Sequence, residues 1–118
     1  MTTTKKIVRL EGQRRNNHIR MRDRLRETVQ KMHQQEQKLL TQLGVQNYQE
    51  IKDPTAQGIF EEGRKGYQLA GEWDELLTSH LDDGIEVIVD LSEYEATTEE
   101  LNRLFNEFNK NLQALSGE

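Results

Sequence analysis

Cysteine is absent from the 118-residue chain. That removes disulfides, thiolate zinc sites and cysteine nucleophiles together, and it suits a cytoplasmic location, which is the one expected. Aromatic residues are scarce, at 6%. None falls within QRRNNHIRMRDRLRETVQKM, residues 13–32, the most basic stretch, so base stacking of the kind single-strand binders use has no support there. Long apolar runs are also missing. The opening MTTTKKIVRLEGQRR lacks the apolar core of about 7–15 residues that marks a secretory signal. No run approaches the ~20 residues needed to span a bilayer, so no membrane partner is expected.

The motifs of common catalysts are missing as well. There is no HExxH, no nucleophile elbow, and EGRKG lacks the glycine-lysine spacing of a phosphate loop. His18 and His33 stand fifteen residues apart, which is not a ligand spacing on one helix. HLDD, with His80, Asp82 and Asp83, reads as a helix end running into a turn rather than a cation site. Paired acids such as Glu61-Glu62, Asp74-Glu75 and Glu99-Glu100 are expected as solvated faces in a chain with 21 acids. An enzyme is therefore the most disfavoured class. No catalytic residue, metal ligand or cofactor site is assigned.

What the chain has in quantity is charge, 31% of its residues against 33% hydrophobic, with a mean hydropathy of −0.93. So polar a domain buries little apolar surface per residue. It needs long amphipathic helices, self-association or a partner to be stable. The charge is also polarised. Residues 1–33 hold ten Lys or Arg against three acids, net +7, and the remainder holds six against eighteen, net −12.

Apolar spacing sets out the elements. KKIVRL forms an extended piece within a basic arm, residues 1–12, ahead of a single helical domain, residues 13–118. Asn16 or Asn17 is placed to cap a long helix over about 17–43, ending at Gly44. Along it His18, Met21, Leu25, Val29, Met32, Leu39, Leu40 and Leu43 make a stripe, with a polar stutter at Gln35 and Glu36. A helix of ~26 residues, ~40 Å long, is too long and too narrowly striped for a compact monomer to cover. The seam Met21, Leu25, Val29, Met32, Leu39 and Leu43 invites a second helix, from this chain or from another copy.

A connector, residues 45–53, leads to Asp53-Pro54, a helix start. Residues 54–81 follow, helical by their spacing of Phe60, Tyr67, Ala70 and Leu77, with a hairpin around GRKG as the alternative at 58–72. In the helix reading, Gly58, Gly63, Gly66 and Gly71 each cost up to ~1 kcal/mol unless they admit close approach of the long helix. Residues 85–91, IEVIVDL, alternate as a strand, and KKIVRL can pair with it so that its cations face Glu86 and Asp90, in cis or in trans. The last helix, 97–115, starts at a Thr97–Glu100 capping box. Phe60, Tyr67, Trp73, Phe105 and Phe108 lie on helical stripes as core; Tyr48 and Tyr94 fall in connectors. The fold class is α-rich, marginally α+β, with the long helix packed against the second helical segment and the C-terminal helix.

On the long helix Arg15, Arg22 and Arg26 share one flank, and Arg20, Arg24 and Lys31 the other. With Arg14 these seven are the candidate contact residues. Arginine's planar fork binds carboxylate or phosphate in pairs of hydrogen bonds. The segment belongs to no helix-turn-helix, zinc-finger or zipper pattern. The preferred expectation is a small, non-enzymatic assembly or adaptor protein, a homo-oligomer and most simply a dimer, whose basic helix engages an acidic protein surface. The alternative is a nucleic-acid-binding accessory or regulatory protein gripping phosphates with the same arginines.

Overall fold

Strand passes into helix with almost no connector at two joints, and this ties the start of the chain to its middle. The computed structural model describes residues 5–117. Their order is β1 (Lys5–Arg9), α1 (Gly12–Gln42), a 3-10 turn (Tyr48–Glu50), α2 (Pro54–Asp82), β2 (Glu86–Asp90) and α3 (Leu91–Leu115). The chain is α-rich with a small antiparallel sheet, as the periodicities predict.

The strands pair within one chain, in the register Lys5↔Asp90, Ile7↔Ile88 and Arg9↔Glu86. The ladder extends one step further, where Leu10 N–H donates to the Ile85 carbonyl at 2.6 Å. KKIVRL, expected as an extended piece within a basic arm over residues 1–12 and able to pair with residues 85–91, does pair there, in cis. Residues 5–9 are a strand of the domain, because β2 alone would leave its backbone groups unpaired. Residues 1–4 and 118 lie outside the described residues. Beneath the sheet, Leu10, Leu81, Val87 and Val89 form a small core with Val8, Ile19 and Tyr94 against it.

Helix α1 starts five residues before the expected 17. Gly12, at φ +56°, takes a left-handed conformation that glycine reaches cheaply, and it swings the chain from strand into helix. Asn16 and Asn17 are therefore interior positions rather than caps, and Asn17 accepts a side-chain bond from Gln13 at 3.0 Å. Gly44 follows the C-terminal end as expected. Helix α2 is continuous, so the hairpin alternative at 58–72 is not adopted. Asp53 caps it by accepting from Thr55 N–H at 3.0 Å, with Pro54 in the first turn. Two of its four glycines, Gly63 and Gly66, admit close approach, but of α3 and not of the long helix, while Gly58 and Gly71 meet nothing within 4 Å. A Cβ on Gly63 would stand 2.5 Å from the Phe108 ring, and one on Gly66 3.2 Å from Phe105. Helix α3 starts at Leu91, six residues before the expected 97. Asp90, at the end of β2, accepts from Glu93 N–H at 3.2 Å and caps it. The Thr97–Glu100 pair lies inside the helix, as does Tyr94, which belongs to no connector.

The main core joins Met32, Leu39 and Leu40 of α1, Phe60, Ala70, Trp73 and Leu77 of α2, and Leu101, Phe105, Phe108 and Leu112 of α3. This corrects the expectation that a monomer could not cover the long helix. Helices of 29 and 25 residues from the same chain run beside α1's 31 residues in a molecule 50 Å long. Of the expected oligomer seam, Met32 and Leu39 are buried within the protomer and Leu25 and Val29 are half-buried against the core. Only Met21 and Leu43 remain exposed.

Candidate functional site: an open basic flank on the long helix

At 100° per residue, Arg15, Arg22 and Arg26 project from α1 on the side of α2, and α2 binds Arg15 and Arg26. Arg26 donates from Nε and Nη2 to the two Asp74 carboxylate oxygens, at 2.7 and 3.0 Å, and from Nη2 to Thr78 Oγ1 at 3.4 Å. That bidentate bond holds the Asp74 carboxyl below its usual range and raises Arg26 above its own. Arg15 Nη1 donates to the Leu81 carbonyl at 3.2 Å. Arg22 is half-buried, with Asp23 at 3.7 Å.

The other flank differs. Arg20 and Arg24 are exposed, and so is Arg14, which lies on neither flank but in line with His18, Met21 and Leu25; among the described residues the three have no hydrogen-bond or ion-pair partner. Lys31, further along, pairs among the described residues with Glu27 of its own helix, at 3.1 Å, both exposed. Arg20 and Arg24, one turn apart, stand on the lip of a groove of about 540 Å³ between α1 and α3. Met21 and Leu25 line it from α1, Trp73 from α2, and Leu101 and Phe105 from α3; Asn17, Thr28, Thr98 and Asn102 complete its lining. The groove thus has a basic wall, an apolar floor and an uncharged polar wall. A second groove of about 550 Å³, between α1 and α2, includes Arg26 and Asp74 in its lining, and there the charges already satisfy each other.

The seven candidate contact residues therefore divide. Arg15 and Arg26 are held by α2, Arg22 and Lys31 meet acids of their own helix, and Arg14, Arg20 and Arg24 are open.

Two polar clusters went unseen in the sequence. Glu36, read as part of a polar stutter, keeps only 3% of its surface. It forms an ion pair with Arg64 of α2, accepts from Tyr67 Oη at 3.3 Å, and lies 3.6 Å from His33 Nδ1. The Arg64 guanidinium sits against the Tyr48 and Tyr67 rings, 5.1 and 4.9 Å from their centroids. The His33 ring stacks on Tyr67 at 4.1 Å. Burial pulls Arg64 and His33 down and pushes the Tyr67 hydroxyl up to about 12. The second cluster brings together His18, His80 and Tyr94, one from each helix. His80 Nδ1 is 2.5 Å from Tyr94 Oη, and the two imidazoles are 5.9 Å apart. Burial is the chief reason both histidines titrate below their usual value, and it lifts Tyr94 to about 12. The signal available beforehand was the place of His18 and Glu36 on the apolar stripe itself.

Among the described residues no group of three or more His, Asp or Glu is placed to hold a metal ion, and no helix is long and apolar enough to cross a membrane. No family model matches the chain, and neither the curated proteins nor the solved structures contain a match.

Proposed function

We propose that this chain is a small assembly or adaptor protein that engages an acidic protein surface through the open flank of α1. One observation carries the reading: α2 binds Arg15 and Arg26 of one flank, while Arg14, Arg20 and Arg24 are exposed without a partner among the described residues, two of them along an apolar groove. Unpaired cations beside apolar side chains suit an amphipathic segment that offers carboxylates on one edge and aliphatic groups on its face. An α-helix with Glu at positions i and i+4 would match the spacing of Arg20 and Arg24. Duplex phosphate offers charge at this spacing but nothing for Met21 and Leu25 to bury, so nucleic acid is the rival reading.

The single tryptophan lines the groove and serves as the probe. Trp73 emission is titrated with a model amphipathic helical peptide carrying Glu along one edge, with its Lys counterpart, and with random duplex DNA, each at about 50 and about 200 mM salt. The reading expects a response to the Glu peptide alone, weakened about tenfold or more by Arg20→Glu with Arg24→Glu. Duplex binding with a steep salt dependence would favour phosphate instead. No binding to either ligand would overturn both.

A further inference from the structure

The outer face of the two-stranded sheet carries the most exposed large apolar residues of the described chain, Ile7 at 71% and Ile88 at 65%. They are direct cross-strand partners. Along the strands they are flanked on one side by the Lys5↔Asp90 pair and on the other by Arg9↔Glu86, where Arg9 Nη1 donates to Glu86 at 3.0 Å. All six side chains share one face because residues two apart on a strand point the same way. The face is thus a grid of two columns and three rows, with cation, Ile, cation on β1 and anion, Ile, anion on β2.

We infer that this face binds a second copy of the chain, two sheets packing face to face about a two-fold axis that runs along the strands. The charge pattern selects both occupant and axis. Rotation about that axis sets β1 of one copy over β2 of the other. Lys5 then lies over Asp90 of the second copy, Arg9 over Glu86, and Ile7 over Ile88, so every charge meets its opposite and the isoleucines meet each other. A two-fold axis across the strands would instead set Lys5 over Arg9 and Asp90 over Glu86. Pairing of β1 with β1 of another copy, edge to edge and antiparallel about Ile7, would also oppose Lys5 and Arg9, a like-charge guard on the open edge. Antiparallel pairing of β2 with β2 about Ile88 opposes Glu86 and Asp90 in the same way.

Six side chains fall short of the ~800 Å² per partner that a stable interface buries, so the dimer is transient, with a dissociation constant of about 10 µM–1 mM. None of the six lines the groove between α1 and α3, so a dimer would carry two basic flanks at once and bind a divalent acidic partner by avidity. This last consequence rests on the function proposed above; the dimer does not.

The test is sedimentation velocity up to about 1 mM, spanning that expected range, together with a charge-swapped variant. Arg9→Glu with Glu86→Arg keeps the cross-strand pair within each copy, and Asp90 is left alone because it caps α3. Wild type is expected to dimerise with itself and the variant with itself. Mixed dimers, followed by native mass spectrometry, are expected to be depleted about tenfold. In each of them the wild-type Arg9 would face an arginine of the variant, and the wild-type Glu86 a glutamate. Ile7→Thr with Ile88→Thr keeps β-branched side chains and should be monomeric with an unchanged far-UV spectrum. A clean monomer at the highest concentration, or free mixing of wild type with the swapped variant, overturns the inference. Retained peptide binding in either case would leave the basic-flank reading standing.

Discussion

Arg64→Met removes a charge from above a buried carboxylate and keeps most of the side-chain stem. Glu36 retains 3% of its surface, and its ion pair is with Arg64. Breaking a fully buried pair by removing one partner costs ~3–5 kcal/mol, because the remaining charge has lost both water and counter-ion. Two features of the site adjust that figure. The Arg64 side chain keeps 37% of its exposure, so water already screens part of the attraction. The Tyr67 hydroxyl still donates to Glu36 after the substitution. In the other direction, the guanidinium's contacts with two tyrosine rings are lost as well. The expected cost is about 2–3 kcal/mol, or roughly a 10 °C fall in Tm for a domain of this size. The control is Glu36→Leu combined with Arg64→Met. Replacing both partners leaves no orphan charge, and the pair of changes should recover most of the loss. Urea unfolding followed by Trp73 fluorescence measures all the proteins. A loss below ~1 kcal/mol for Arg64→Met would mean the pair behaves as a surface pair. A double variant as unstable as the sum of its singles would refute the orphan-charge reasoning itself.

Gly63→Ala should destabilise by about 1–3 kcal/mol, since its methyl would stand 2.5 Å from the buried Phe108 ring and force the ring to shift. Gly71→Ala meets nothing within 4 Å and should stabilise by about 0.5–1 kcal/mol; thermal melts of the two separate close packing from helix propensity. Burial holds His18 and His80 below the ordinary histidine value of about 6.5, so between their folded values and that value the unfolded chain binds more protons. Their contribution is complete above pH ~6.5 and is lost as pH falls below it, and His18→Gln should flatten the slope of stability against pH between about 7 and 5.5. Arg20→Ala and Arg24→Ala should leave stability within ~0.5 kcal/mol in denaturant unfolding, since neither arginine has a partner to lose; a larger drop would reveal a contact in solution.

The elements were largely legible because their signals are local. Asp53-Pro54, Gly44 and the alternation of residues 85–91 each act through neighbours in the chain. The starts of α1 and α3 were misplaced because strand and helix join without a loop. Gly12 and Asp90 do the turning and capping there, while Asn16, Asn17 and Thr97 look better suited but are interior. Of the four glycines of α2 read as points of close approach, only Gly63 and Gly66 are, and the helix they admit is α3 rather than the long helix. That depends on the crossing of helices about forty residues apart.

Amino-acid order alone established an α-rich chain with one strand pair, a basic start set against an acidic remainder, and two arginine flanks on one helix. Period, capping chemistry and net charge are properties of contiguous residues, and no packing is needed to read them. It could not say which flank was covered, that Glu36 would be sealed under Arg64, or that Ile7 and Ile88 would meet on an open face. Each of these joins residues far apart in the chain, which only packing brings together. It is the docking of α2 on one side of α1 that ties Arg15 and Arg26 to the body and leaves Arg14, Arg20 and Arg24 exposed.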